Sequence, residues 1–146
     1  MPSLTVDELQ SILDEAFPET EVAHVEDVTD NTVVVSISIS ARHGRPGGTL
    51  SGPTMMMLAD TSAWLVIMAS LGPVLLAVTT SLHIDFLRKP QLTDLMARAR
   101  LLKLGRKLAV CEVELFSRGS TELVAKAQVT YSLPSNQSEG GSTTSR

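Results

Sequence analysis

Asp60 is the one charged residue between Thr49 and Leu71, in TLSGPTMMMLADTSAWLVIMASL. On a helix its neighbours three or four residues away are Met56, Met57, Ala63 and Trp64, with Pro53 and Ile67 two turns off, so every roll leaves the carboxylate among apolar groups. An isolated buried carboxylate costs several kcal/mol unless it is paired, hydrogen-bonded or protonated. Function is one account of what offsets that cost. Satisfaction by backbone or by Thr and Ser hydroxyls across a dimer is the other. A second chemical feature is basic: Arg88, Lys89, Arg98, Arg100, Lys103, Arg106 and Lys107 share the span 88–107 with one acid, Asp94. These side chains are either the solvated face of two strands or a site for a phosphorylated ligand. His43 falls in a loop and His83 in a strand, neither with a metal partner at useful spacing, and no Cys/His cluster has zinc-ligand spacing.

The element that must position Asp60 is a helix over about 52–71. Ser51 is a suitable N-cap, Pro53 falls where a first turn tolerates proline, and Gly72-Pro73 supply a C-cap and a stop. Before it, residues 5–17 read as a short amphipathic helix with Leu9, Ile12, Leu13 and Ala16 on one face, closed by Pro18. Val22–Val28 reads as a strand. Thr32–Ser40 reads as a second, in which Val33, Val35, Ile37 and Ile39 alternate with Val34, Ser36, Ser38 and Ser40. The glycine-rich loop Ala41–Leu50 leads into the central helix. Four strand-like runs follow, Val74–Leu87, Leu92–Leu104, Lys107–Ser117 and Glu122–Leu133, and an antiparallel meander is the simplest way to join them. Such a sheet has one face to bury, and the central helix is the element apolar enough to fill it. The expectation is an α+β domain over 1–133 with a second copy covering part of the remaining surface, and a disordered polar tail over 134–146.

At 146 residues and 43% apolar content, the chain suits one globular domain with an aliphatic and Met-rich core. A single cysteine, Cys111, excludes an intrachain disulfide framework. The net charge of −4 argues against nucleic acid as the main partner. Residues 53–71 approach membrane-spanning length, but Asp60 sits mid-span and strand-like runs flank the helix, so no membrane is expected. The N-terminal MPSLTVDELQ lacks a basic region and a long apolar region, so no signal peptide is read and a cytoplasmic location is expected.

Five sequence pieces in order resemble one family. They are GGTLSGPTMMMLADTSAW with Leu58-Ala59-Asp60, then Phe86-Leu87-Arg88 with Lys89 ahead of Pro90, then Gly105-Arg106. Val124-Ala125-Lys126-Ala127 and then Thr130-Tyr131 complete the set. Over roughly Val22–Leu133 the chain resembles the hotdog-fold acyl-CoA thioesterases related to the phenylacetate-pathway thioesterase. It departs from the family pattern at Ser51, where a His is usual, at Pro53, the second Gly of that motif, and at Arg45, where a polar residue such as Asn is common.

The resemblance implies a curved antiparallel sheet wrapped around the helix, assembled as a homodimer or a dimer of dimers. It implies hydrolysis of an aryl-CoA or a short- or medium-chain acyl-CoA, with the thioester as substrate and no cofactor. Asp60 would be general base or nucleophile, and the Gly52 N–H the oxyanion donor. Ser51 would cap the helix, and Thr79 would orient the water across the dimer interface. Arg88, Lys89, Arg106 and Lys107, with Pro90 and Gly105 shaping their turns, would meet the coenzyme A phosphates. Trp64 would contact the substrate, while the Met55–Met57 run is read as core or as a tunnel lining that adapts to an acyl chain. Two other readings share the fold. One is a non-catalytic acyl-CoA binder that kept the pocket without the His. The other is a thioester hydratase or dehydratase, against which stand the His43–Asp60 spacing and an Asp where Glu is usual.

Overall fold

The computed structural model describes residues 2–18, 23–38, 44–45, 49–91 and 93–134. Most of the glycine-rich loop, His43 included, and the tail beyond Pro134 lie outside them. Helix α1, Val6–Ala16, starts on a capping box. Thr5 Oγ1 accepts from the Glu8 N–H at 3.2 Å, and Glu8 Oε1 accepts from the Thr5 N–H at 2.9 Å. It buries Leu9 and Leu13, while Ala16 is exposed. Strands β1 (His24–Thr29) and β2 (Thr32–Ile37) form a hairpin turned at Asn31, which adopts a positive φ of 63°. The two-residue strands β3 (Gly44–Arg45) and β4 (Thr49–Leu50) pair just ahead of the central helix.

Helix α2, Gly52–Leu71, buries Leu58, Leu65, Ile67 and Met68 completely, each stabilising the fold by about 1.5–3 kcal/mol relative to exposure. It is long and apolar enough to span a membrane, yet it touches β2, β5, β6, β7 and β8 and is the core of the domain. Ser51 accepts the Thr54 N–H at 3.2 Å, and Gly72, at φ 90°, ends the helix before Pro73. Ser51→Ala should therefore lower unfolding stability by about 1 kcal/mol. A urea midpoint that does not move would contradict that capping role.

Strands β5 (Val78–Phe86), β6 (Leu95–Leu104), β7 (Leu108–Ser117) and β8 (Leu123–Ser132) complete one antiparallel sheet in the order β1-β2-β6-β7-β8-β5. The expected four-strand meander is therefore corrected. Only β6, β7 and β8 run in sequence, because the chain leaves α2 at the far edge as β5 and then crosses to set β6 against β2. That crossing joins two hairpins into one surface around the helix, which is the hotdog arrangement. Val74–Ala77 also proves to be a turn, closed by the Ala77 N–H on Val74 O at 3.2 Å. The inward residues Ala97, Ala99, Ala109, Ala125 and Ala127 are small and buried, which lets the sheet close over α2.

The two sheet edges differ. Along β1, the Gln10 side chain donates to Ala23 O at 3.2 Å and accepts from the Val25 N–H at 2.7 Å, so α1 occupies that edge. β5 pairs with β8 on one side and carries exposed apolar side chains at both ends, Val78 (58% exposed) and Phe86 (50%).

Candidate active site

Asp60 lies two turns into α2 and is half-buried at one end of a cleft of about 350 Å³. Phe17, Trp64, Leu75, Ala77 and Val78 supply the apolar walls. Trp64 is anchored by its Nε1–H on Val74 O at 3.4 Å and meets the Phe17 ring edge-on, centroids 6.5 Å apart. Phe17, at the end of α1, is a wall residue that the sequence marked only as a helix terminus.

Two hydroxyls hold the carboxylate. Thr79 Oγ1 donates to Asp60 Oδ1 at 2.7 Å, and Tyr131 Oη lies 3.0 Å from the same oxygen and 3.0 Å from the Asp60 backbone carbonyl. Strand register explains the pairing. Thr79 sits directly opposite Tyr131 across β5 and β8, and opposed residues share a sheet face. Thr79 thus meets Asp60 within one chain. Tyr131 was legible only as part of the Thr130-Tyr131 piece. The further signal was its place, the one tyrosine of the chain at the end of the inward series Ala125, Ala127 and Val129. Burial pushes the Tyr131 phenol well above its ordinary range; the Thr79 contact opposes this and the Asp60 charge adds to it. It is a stable O–H donor at neutral pH.

The first turn of α2 has its own geometry. Pro53 has no N–H, Thr54 gives its N–H to Ser51 Oγ, and Met55 gives its N–H to Ser51 O at 3.3 Å. Gly52 is left with the first-turn N–H that no intrahelical acceptor can take. Ser51 Oγ is engaged by the Thr54 backbone and lies 2.9 Å from Thr54 Oγ1. A Cβ on Gly52 would meet the Phe86 ring at 3.4 Å, so Gly52 lies beside the far end of β5 from Thr79. Eight residues of helix put Gly52 and Asp60 about 12 Å apart, too far for both to act on one carbonyl within a chain.

The basic residues also divide. Arg88 follows the end of β5 and donates from Nη1 to Leu123 O at 2.6 Å, with Glu122 at 3.9 Å. Lys89 is exposed beside it, and Pro90 is buried. Gly105, whose N–H binds Leu108 O at 2.8 Å, makes the β6–β7 turn with Arg106 and Lys107, beside the Val78 end of the sheet. One chain therefore does not bring 88–89 and 106–107 together. Arg98 and Arg100 pair with Glu114 and Glu112 across β6 and β7, as a solvated strand face would. His83 pairs with Asp85 on β5, away from the cleft. Among the described residues no His/Cys/Asp/Glu group could hold a metal ion.

Cys111 is buried against α2 with its Sγ 3.8 Å from Ala63 O, and burial pushes its thiol up to about 12. The native protein should give no colour with an aromatic disulfide reagent at pH 8 and one thiol per chain once unfolded. A fast native reaction would contradict this burial.

The comparisons agree with this arrangement. The thioesterase superfamily model matches residues 47–124. A protein of Silicibacter sp. TM1040, provisionally named a thioesterase, superimposes with a TM-score of 0.84 at 42% identity, over 92% of this chain and 94% of that one. Zebra fish thioesterase superfamily member 2 gives 0.80 at 26% identity, over 90% of this chain and 100% of the other. PA0474 of Pseudomonas aeruginosa, provisionally named an esterase, is 32% identical over 103 residues, 70% of this chain and 75% of that protein. The chain belongs to the thioesterase superfamily, and it is a thioester hydrolase.

Proposed function

We propose that the chain hydrolyses acyl-CoA thioesters at a site shared by two copies, with the acyl group in the cleft beside Trp64. The observation that carries this reading is Asp60, held by Thr79 and Tyr131 in a cleft whose other walls are largely apolar. As general base, its carboxylate takes a proton from water as the water oxygen adds to the thioester carbon. The carbonyl electrons move onto oxygen, where the Gly52 N–H stabilises the charge. Collapse of the adduct breaks the C–S bond, and the coenzyme A thiolate leaves and takes up the proton that Asp60 held. As nucleophile, Asp60 would instead attack the thioester carbon, break the C–S bond and expel the coenzyme A thiolate, and water would open the resulting anhydride to the free acid and the Asp60 carboxylate.

The second copy supplies what one chain lacks. β5 is a nine-residue edge strand with bare apolar ends, suited to antiparallel pairing with itself. A two-fold axis through the middle of β5 would set the Thr79 end of one strand beside the Phe86 end of the other. Asp60 of one copy would then stand near Gly52 of its partner. The same axis would carry Arg106 and Lys107 of one chain to the end occupied by Arg88 and Lys89 of the other, within reach of coenzyme A phosphates.

The test is release of free coenzyme A from a panel of aryl, short-chain and medium-chain thioesters. Turnover of one class, lost in Asp60→Asn, is the expected outcome. Tight acyl-CoA binding without turnover by the wild type would instead assign a sensor, a reading favoured by Ser51, whose hydroxyl is committed to the cap.

A further inference from the structure

We infer that Tyr131 is a positioning residue that decides which oxygen of Asp60 reacts, an inference that rests on the thioesterase reading above. Both hydroxyl contacts fall on Oδ1, from Thr79 at 2.7 Å and Tyr131 at 3.0 Å. Among the described residues Oδ2 has no hydrogen bond. A carboxylate oxygen that accepts two donors is the less basic of the pair and the less free to move. Oδ2 is therefore the oxygen that takes the water proton or attacks the acyl carbon.

The phenol also fixes the side chain against its own helix. A hydroxyl has one hydrogen, and Tyr131 shares it between Oδ1 and the Asp60 carbonyl, a three-centre contact. Carboxylate and backbone are thereby tied to one point on β8, which restricts rotation of the Asp60 side chain. Tyr131 is only 5% exposed and belongs to the buried core, so its ring is held there while its oxygen reaches the site. A side chain so placed acts through Asp60 and need not touch the substrate.

Tyr131→Phe keeps the ring and removes the contact. Loss of one hydrogen bond to a charged group should lower kcat roughly 10- to 100-fold, with KM within about twofold because substrate contacts are kept. In an Asp60→Asn background the same substitution should do nothing further, since a residue acting through Asp60 has no effect once the carboxylate is gone. Tyr131 is the one tyrosine in the chain, so growth on meta-fluorotyrosine places a single fluorine label there. Its NMR signal should shift between the wild-type and Asp60→Asn proteins, a readout that serves even if Tyr131→Phe fails to fold. A wild-type rate in Tyr131→Phe beside an inactive Asp60→Asn overturns the inference and leaves the thioesterase reading standing. A fluorine signal indifferent to Asp60→Asn also overturns it. Absence of turnover by the wild type with every thioester removes both together.

Discussion

Asp60→Asn should lower kcat for thioester hydrolysis by about 10³, within the range by which positioned acid–base groups accelerate reactions. The substitution nearly preserves shape, and its amide oxygen can still accept from Thr79 and Tyr131, so the polar end of the cleft stays hydrogen-bonded. What disappears is the negative charge that takes a proton or attacks carbon. The effect belongs to chemistry and not to folding, so the melting temperature should stay close to wild type. A variant that folds normally and retains a tenth or more of the rate would mean that Asp60 serves only the packing of α2.

The second large effect is expected at Gly52. Gly52→Pro removes its N–H, and the local backbone is already arranged for a proline. Proline is favoured at the first helical position, and the residue before it must be extended. Ser51 is extended, at φ −80° and ψ 152°. A Cβ there makes ordinary contact with Phe86 at 3.4 Å. The predicted loss is about 10²–10³ in kcat, the usual cost of one oxyanion donor, with little change in thermal stability. Gly52→Ala keeps the N–H and serves as the control, which should remain active. Equal damage from both substitutions would point to steric disturbance and remove Gly52 from the catalytic account.

Much of this arrangement was legible in the sequence. The apolar run with one carboxylate, capped by Ser51 and stopped at Gly72-Pro73, defined the central helix, because caps and breakers act locally. The alternation of Val33, Val35 and Ile37 likewise gave the inward face of β2. Strand order was not legible. Pairing between β5 and β8 joins residues about fifty positions apart, and nothing in either segment separates that partner from the neighbour in sequence. The same non-local register conceals Tyr131, whose approach to Asp60 depends on its being opposite Thr79. The placing of the basic residues was not legible for a related reason. Arg88 and Lys107 lie close in the chain, but the β5-to-β6 crossing and the ten residues of β6 carry them to opposite ends of the sheet.

The central claim is that one working site takes Gly52 from one chain and Asp60 from another. It is tested most directly by mixing two inactive proteins, Gly52→Pro and Asp60→Asn, under conditions that exchange subunits. A mixed dimer pairs the intact Gly52 of one chain with the intact Asp60 of the other at one of its two sites. Random exchange makes half the dimers mixed, so the mixture should recover about a quarter of the wild-type rate. Recovery near that level, dependent on subunit exchange, is the predicted result. A mixture that exchanges subunits and stays as inactive as its components would contradict the shared site.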